Sequence, residues 1–199
     1  MLRSRNLWAM MGAAFCSVYT YSFFQSWFHT YLVKARGSSE HDLLFSSLPY
    51  LLGACANVSG GLASTALVKR VGLKKGRCRI GAVSSVIAAV ATVAVVFTSQ
   101  WLWALVLLSI VYGSISFQQP TMFATCLDIG GEHAGATTGA MNSAAQAGSF
   151  VSSLAFGYLL GHTGSYDLPF FPMAALLLFG AWLWLEVDPT IGISPSVVK

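Results

Sequence analysis

Six long apolar segments that contain no charged side chain dominate this sequence. They are Leu7–Val33, Leu43–Val68, Ile80–Thr98, Trp101–Thr125, Gly135–Leu160 and Leu168–Leu185. A helix needs about 20 predominantly apolar residues to cross the hydrocarbon core of a bilayer, and it satisfies its backbone hydrogen bonds within that one segment. The sequence therefore predicts an all-α membrane protein with six transmembrane helices, and the lipid bilayer is its expected partner.

The composition excludes a soluble globular fold. Apolar residues make up 55% of the chain and charged residues 9%, whereas soluble domains contain about 25% charged residues. So few polar side chains cannot cover the surface of a soluble protein of this length. Because the connections between the segments are short, we expect residues 1–199 to form a single transmembrane domain. The tail after Asp188 is expected to be a short unstructured end.

The basic residues are concentrated in alternate connections. If the amino terminus is cytoplasmic, the cytoplasmic segments contain Arg3, Arg5, Lys69, Arg70, Lys74, Lys75, Arg77, Arg79 and Lys199. The outer connections contain only Lys34 and Arg36. Since lysine and arginine are enriched in cytoplasmic loops, this distribution predicts that both termini are cytoplasmic. It also accounts for the net charge of +4 without nucleic acid as a partner.

The sequence indicates neither a cofactor nor a metal site. Its four cysteines, Cys16, Cys55, Cys78 and Cys126, have neither zinc-site nor CxxC spacing. We interpret them as small apolar side chains. No residue stands out as a metal ligand or as a catalytic group.

Neutral polar residues recur at helical spacing within the apolar segments. Tyr21 and Gln25 are four residues apart in the first segment, and so are Asn142 and Gln146 in the fifth. Each pair therefore shares one helix face. The carboxamides of Gln119, Asn142 and Gln146 can both donate and accept hydrogen bonds. Contact with a polar solute and packing between helices are equally good interpretations of these three amides.

Small residues form further stripes. Gly60 and Gly61 in the second segment, and Gly135 and Gly139 in the fifth, are interpreted as surfaces for close helix packing. The third and sixth segments contain no amide side chain. We therefore expect the first, second, fourth and fifth helices to line a cavity, with the third and sixth outside them.

The sixth segment is rich in Leu, Phe and Trp. Its two tryptophans, Trp182 and Trp184, lie near the expected inner end of the helix. Tryptophan is enriched at membrane–water interfaces, so we interpret both residues as interfacial anchors.

Four stretches of the sequence resemble successive helices of one known transporter family. They are FFQSWFHTYLVKARG (Phe23–Gly37), SSLPYLLGACANVSGGLAS (Ser46–Ser64), QPTMFATCLDI (Gln119–Ile129) and AGATTGAMNSAAQAGSFVSSLAFGYLL (Ala134–Leu160). In that order they are similar to the seventh, eighth, tenth and eleventh helices of the major facilitator superfamily, and within it of the anion:cation symporter family. The chain thus resembles the carboxyl-terminal six-helix half of such a transporter.

The chain departs from the family pattern at several places. His29 stands where the family usually has proline, and Phe123 where tryptophan is common. After Gly60–Gly61 the family often continues with Ser-Asp-Arg, the second copy of a cytoplasmic gating motif. This chain has Ser64, Thr65 and Ala66 there, so it lacks the acid and the base of that motif.

The resemblance implies secondary active transport of a small organic anion, such as a sugar acid or a carboxylate, with proton or cation coupling. Family members have twelve helices in two halves that alternate access to a site at the membrane midplane. The residues of this half implied to contact substrate are Tyr21, Gln25, Gln119, Thr121, Phe123, Asn142 and Gln146. The family's anion-binding arginine and its proton-accepting carboxylates generally lie in the other half.

A half-transporter needs a partner. Either this chain is a fragment that lacks an amino-terminal six-helix half, which we favour, or it pairs with a partner protein or a second copy of itself. The short loops and the absence of a targeting signal point to a bacterial inner membrane.

Two other classes of function are alternatives to transport. An intramembrane hydrolase could use Ser114 or Ser116 as its nucleophile. The four histidines, however, lie at segment edges or in connections; they are His29, His41, His133 and His162. A nucleophilic serine needs its base within hydrogen-bond reach, so we expect no enzyme. A structural or partner-binding membrane protein remains the other alternative.

Overall fold

The computed structural model of the protein describes residues 4–38 and 45–193. These residues form six long helices, which are α1 (Arg5–Ser26), α3 (Leu48–Val71), α4 (Leu73–Val96), α5 (Trp101–Gly130), α6 (Ala134–Thr163) and α7 (Phe170–Glu186). A single helical turn, α2 (Phe28–Thr30), and a π-helical turn (Tyr31–Ala35) continue the chain beyond α1. The described part of the chain is therefore all-helical, as predicted.

Among the described residues, four helical stretches are long and apolar enough to cross a membrane. They are Arg5–Ser26, Phe45–Val71, Leu73–Val96 and Trp101–Thr163. The last of them contains both α5 and α6, joined by the 3-10 turn Gly131–His133. The helix α7 is apolar but shorter, with 17 residues. The protein is therefore helical and suited to a bilayer, while the six crossings remain a prediction.

The first predicted segment, Leu7–Val33, is not one continuous α-helix. The α-helix ends at Ser26, and Trp27 leaves helical geometry at φ −123° and ψ −18°. The π-helical turn then begins at Tyr31. The helix is thus irregular around His29, at the place where the family that the sequence resembles usually has proline. Such interruptions are frequent at functional sites.

Two glycines allow neighbouring helices to approach closely. A Cβ on Gly60 of α3 would collide with the backbone carbonyl of Phe117 in α5, and one on Gly148 of α6 with that of Phe15 in α1. Small residues at such points bring helix backbones into van der Waals contact. The packing interpretation is therefore confirmed for Gly60. Gly135 and Gly139 have open space at their Cβ positions, so they pack against nothing in the described chain.

The outward surface of α4 and α7 is apolar. Its large exposed side chains include Val83 and Val90 of α4 and Phe179 and Trp182 of α7. This surface is suited to lipid, while the opposite faces of both helices pack against each other and belong to the protein interior. Trp184 is 0% exposed and lies against Gly81 of α4. Its interpretation as an interfacial anchor is therefore wrong, because a glycine on another helix makes room for the ring.

Ion pairs bring both ends of the described chain to one end of the bundle. Arg5 pairs with Glu186, and Lys74 pairs with Asp188 at 2.8 Å. The hydrogen bond from Lys74, helped by Thr190, lowers the pKa of the Asp188 carboxyl below its ordinary value. This link is therefore present at neutral pH and weakens as the pH falls through that lowered pKa.

The segment after α7 is ordered. The Asn6 side chain donates to the carbonyls of Asp188 (2.8 Å) and Ile191 (2.9 Å). The Ile193 amide donates to the Ile129 carbonyl of α5 at 2.8 Å. The expectation of an unstructured tail is therefore wrong for residues 189–193, because polar backbone groups there bond to α1 and α5. Residues 194–199 lie outside the described part of the chain.

At the opposite end, one arginine joins three parts of the chain. Arg36 donates to Asp167 Oδ1 at 2.7 Å, to the Tyr31 hydroxyl at 2.8 Å and to the Val95 carbonyl at 3.1 Å. Its side chain is 9% exposed. The charge of Arg36 is thus neutralised within the protein, and the residue fixes the end of the first helical segment to α4 and to the connection before α7.

We predict that Gly148→Ala destabilises the protein strongly, whereas Gly139→Ala on the same helix does not. The new methyl group at 148 would force α6 away from the Phe15 carbonyl, and overpacking of this kind costs about 1–3 kcal/mol. At 139 it would enter open space. Thermal unfolding of the detergent-solubilised variants measures the difference. Equal stability of the two variants would contradict the close α1–α6 contact.

Candidate functional site

A small cavity lies between α1, α5 and α6 near the middle of the helices. Its volume is about 70 Å³. It is lined by Ser17, Val18, Tyr21, Ile115, Gln119, Met122, Phe123, Met141, Asn142 and Ala145. The helix α3, which was expected to line the cavity, does not contribute to this lining. It reaches the site through the hydrogen bond from Asn57 to Gln119.

The structure brings together four of the seven predicted site residues. Tyr21, Gln119, Phe123 and Asn142 line the cavity, and Phe123 is 39% exposed at its edge. Tyr21 comes from α1, Gln119 and Phe123 from successive turns of α5, and Asn142 from α6, so the packing of three helices brings them together. Their role in substrate binding remains a prediction.

The other three predicted residues lie outside the cavity lining. Gln25 and Gln146 are exposed, one turn away from Tyr21 and Asn142 on the same helix faces. Thr121 is 0% exposed, and its hydroxyl has no hydrogen-bond partner in the described chain. A buried hydroxyl without a partner costs free energy.

Tyr21 is held by a second tyrosine. Its hydroxyl lies 2.5 Å from that of Tyr112, and the two rings stack with centroids 4.9 Å apart. Tyr50 of α3 packs edge-on against Tyr112 and donates its hydroxyl to the Phe24 carbonyl at 2.6 Å. These contacts fix the Tyr21 ring at the cavity wall and connect it to the end of α1, where the helix becomes irregular.

Gln119 is oriented by an amide of α3. Asn57 donates to Gln119 Oε1 at 3.1 Å and, less closely, to the Ser116 carbonyl at 3.3 Å. The Gln119 amide nitrogen has no hydrogen-bond partner among the described residues, and the same holds for the side chain of Asn142. Both groups therefore retain donors, and Asn142 an acceptor as well, for a polar solute.

The adjacent glutamine, Gln118, is a structural residue that sequence reasoning missed. It is 0% exposed. It donates to the Ser17 hydroxyl of α1 at 3.1 Å and accepts from the Ser85 hydroxyl of α4 at 3.2 Å. This chain of side chains joins α1, α5 and α4 through the interior. Ser17 also lines the cavity. It lies four residues before Tyr21, on the same helix face, and this spacing was the sequence signal that could have identified Ser17 as part of the polar face.

The polar stripe of α6 has two different roles along its length. Ser149 donates to the Ser22 hydroxyl of α1 at 3.0 Å, and Ser22 lies 3.5 Å from the Ser153 hydroxyl. These serines connect helices, as small hydroxyl residues do in membranes. Asn142 and Gln146, in the other half of the stripe, are exposed. Packing is therefore the better interpretation of the serines but not of the two amides.

The cavity has an uncharged and mainly apolar lining, in which Ser17, Tyr21, Gln119 and Asn142 are the polar residues. No lysine, arginine, aspartate or glutamate is among its lining residues, and the ion pairs of the described chain lie near the helix ends. Among the described residues, no group of three His, Cys, Asp or Glu side chains is placed to hold a metal ion. This wall can therefore recognise a solute by hydrogen bonds and by aromatic and thioether contacts.

The cavity is too small to hold an organic solute by itself. Ligand pockets commonly measure about 300–1,000 Å³, against about 70 Å³ here. Its exposed residues, Phe123 and Asn142, lie on the surface of the bundle. The cavity is therefore a shallow space that opens at the surface of the bundle, and its part in a binding site stays a prediction.

Comparison with known proteins identifies relatives of the whole chain. The family model of the Major Facilitator Superfamily matches residues 1–153. The chain is 32% identical over 189 residues to a protein of Cupriavidus necator named probable sulfoacetate transporter SauU, covering 94% of this chain and 44% of that protein. It is 29% identical over 188 residues to the probable galactarate/D-glucarate transporter GudP of Bacillus subtilis, covering 91% and 39%.

A plant protein is a more distant relative. The probable anion transporter 1, chloroplastic, of Oryza sativa subsp. japonica is 24% identical over 180 residues, which cover 89% of this chain and 34% of that protein. The chain thus spans less than half the length of these three relatives. All three are named as transporters of anions or acids, in agreement with the family resemblance of the sequence.

We predict that two adjacent glutamines differ in their effect on stability. Gln118→Ala leaves the buried hydroxyls of Ser17 and Ser85 without their partner, which costs about 1–3 kcal/mol. Gln119→Ala removes a partly buried side chain and should change stability by less than half as much. Thermal unfolding in detergent compares the two variants. A larger loss for Gln119→Ala would contradict the assignment of Gln118 as the interior link.

Proposed function

Because the chain belongs to the Major Facilitator Superfamily, we propose that it forms one six-helix half of a secondary transporter for a small organic anion. The superfamily consists of transporters, so the alternative of an intramembrane hydrolase is set aside. The expected substrates are sugar acids, carboxylates and similar anions, moved by alternating access with proton or cation coupling. The names of the relatives, which include sulfoacetate and galactarate/D-glucarate transporters, support this substrate class.

Five of the six proposed crossings are supported by the helix lengths. The five longer helices have 22 to 30 residues, equivalent to about 33–45 Å at 1.5 Å per residue. The stretch Trp101–Thr163 is far too long for one crossing, and α5 packs against α6, as expected if the chain reverses at Gly131. In this proposal residues 1–199 are a single transmembrane domain.

The proposed topology puts both termini in the cytoplasm. It is supported by the ion pairs that bring Arg5, Lys74, Glu186 and Asp188 to one end of the bundle. An even number of crossings returns the chain to the side on which it started, and the basic residues near that end favour the cytoplasmic side. Two of the relatives are bacterial, which supports a bacterial inner membrane.

The cavity wall is the proposed substrate contact. Tyr21, Gln119, Phe123 and Asn142 would meet the solute directly, and the amides of Gln25 and Gln146 extend the same helix faces by one turn. Thr121 is buried behind this surface and would reach a substrate only after α5 rotates. The observation that carries the proposal is the uncharged cavity whose unpaired amides face the exposed side of the bundle.

The opposite wall has to come from another set of helices. The exposed face in the first half of α6 contains Gly135, Gly139, Asn142 and Gln146. This part of the surface is neutral and made of small or amide residues, unlike the apolar faces of α4 and α7. We propose that an amino-terminal six-helix half covers it and supplies the cationic side chain for the anion and the carboxylates for coupling. A second copy of this chain is the other possible partner.

We predict that Asn142→Ala impairs uptake in the complete carrier that contains this half. The loss of one hydrogen bond to the substrate, about 1–1.5 kcal/mol, should raise the apparent KM about tenfold. The measurement is uptake of radiolabelled sulfoacetate and D-glucarate into cells or proteoliposomes, with membrane insertion checked by immunoblot.

The matched control is Ser143→Ala. Ser143 is exposed beside Asn142, but its hydroxyl donates to the Gly139 carbonyl of its own helix at 3.0 Å, so uptake should be unchanged. Wild-type kinetics in Asn142→Ala for every transported anion would remove this residue from the site. Loss of insertion in that variant would instead assign Asn142 to helix packing.

We also predict that the product of the chromosomal gene is about twice as heavy as this chain. The calculated mass of the 199 residues is 21.2 kDa, and the relatives are more than twice as long as the region that they share with it. A tag at the 3′ end of the gene and an immunoblot of membranes give the mass. A product near the calculated mass would assign the opposite wall to a second copy or another protein.

A further inference from the structure

A second concave surface lies on the outside of the bundle, between α3, α4 and α5. This groove has a volume of about 500 Å³ and an almost wholly apolar lining. Val83 and Ile87 of α4 and Ile110 of α5 line it and are exposed. A volume of this size is in the range of ligand sites, and the lining is suited to a hydrocarbon rather than to a polar solute.

The groove is separate from the candidate substrate cavity. On α5, Gly113, Ser114 and Phe117 face the groove, whereas Ile115 and Gln119 face the cavity. At 100° per residue these two sets lie on roughly opposite sides of the helix. A molecule in the groove would therefore lie on the outer surface of α5, away from the cavity.

One cationic side chain stands at the end of this apolar groove. Arg79 lines it and is exposed. Three other arginines form ion pairs within the protein, namely Arg5, Arg36 and Arg77. Arg79 forms no ion pair with any described residue. It follows the basic α3–α4 turn, and its long side chain can extend along the helix toward the membrane surface.

The groove runs from this charge into the membrane-embedded part of the helices. From Arg79 to Ile87 the lining follows α4 for about 12 Å at 1.5 Å per residue. A guanidinium binds phosphate through paired hydrogen bonds, and basic sites between transmembrane helices bind anionic lipid headgroups. A positive charge at the membrane surface with an apolar groove below it matches the headgroup and the acyl chains of an anionic phospholipid.

We propose that this groove is a binding site for an anionic phospholipid, with the phosphate at Arg79 and one acyl chain between α3, α4 and α5. The lipid occupies the leaflet that meets the α3–α4 turn. The groove is separate from the candidate substrate cavity, since its residues belong to the outer face of α5. The zwitterionic phosphatidylcholine has the same chains and phosphate but no net charge, so it should bind less tightly.

Gly113 provides a way to block the groove. It lines the groove, and a Cβ built on it meets no atom within 4 Å. A leucine there would occupy the space of the acyl chain without displacing the protein. Since leucine is also a better helix former than glycine, Gly113→Leu should fold normally.

The experiment is native mass spectrometry of the purified, detergent-solubilised protein titrated with phosphatidylglycerol or phosphatidylcholine. We expect Arg79→Gln to weaken phosphatidylglycerol binding about fivefold, the effect of one basic residue at an anionic surface. It should weaken phosphatidylcholine binding by a smaller factor, because that lipid has the same phosphate but no net charge. We expect Gly113→Leu to weaken both lipids. Thermal unfolding verifies that each variant is folded.

Two matched controls separate the site from general effects. Arg70→Gln removes an exposed charge in the last turn of α3 that does not line the groove, and Gly161→Leu fills open space at the far end of α6. Both should bind the lipids like the wild type. The proposal is overturned if Arg79→Gln retains its phosphatidylglycerol preference, if Arg70→Gln loses as much of it, or if Gly113→Leu binds both lipids normally.

Discussion

Close contact between helix backbones at two glycines fixes the α3–α5 and α1–α6 pairs, on which the candidate cavity depends. Gly60 holds α3 against the Phe117 carbonyl of α5, and Gly148 holds α6 against the Phe15 carbonyl of α1. In a bilayer, apolar side chains gain little by leaving lipid for protein, so van der Waals contact and interhelical hydrogen bonds drive association. The serine contacts between α1 and α6 lie directly beside the second glycine. Because α1 packs more extensively on α6 than on α5, a space remains between these three helices, and it is the candidate cavity.

The distribution of charge also follows from the lipid bilayer as the surrounding medium. Every ion pair of the described residues lies near a helix end, where Arg36, Arg77 and their partners meet polar surroundings. The interior is connected instead by neutral groups, of which Gln118 is the centre. An isolated charge at membrane depth would be costly, and this half avoids one. An anion bound at Asn142 and Gln119 would therefore be held here by hydrogen bonds, and its charge would be balanced by a residue on the opposite wall.

The sequence predicted the helices well because their length and apolar character are properties of each segment alone. It could not predict features that depend on a partner helix. Gln118 and Gln119 are adjacent, so they point about 100° apart, and the rotation of α5 decides which one is buried. Trp184 resembles an interfacial residue until Gly81 is found opposite it. The order of residues 189–193 likewise depends on Asn6, which is remote in sequence.

The exposed face of α6 is best understood by comparison with α7. Phe179 and Trp182 on α7 are large apolar side chains that lipid can solvate. Gly139, Asn142 and Gln146 in the first half of α6 are also exposed, but lipid offers no hydrogen bonds to an amide. Unsatisfied polar groups in hydrocarbon cost several kcal/mol each, to order of magnitude. Such a face is stable only against protein or water. A transporter provides both in turn, because a wall that alternates between contact with a partner half and contact with a water-filled path needs small and polar residues rather than an apolar surface.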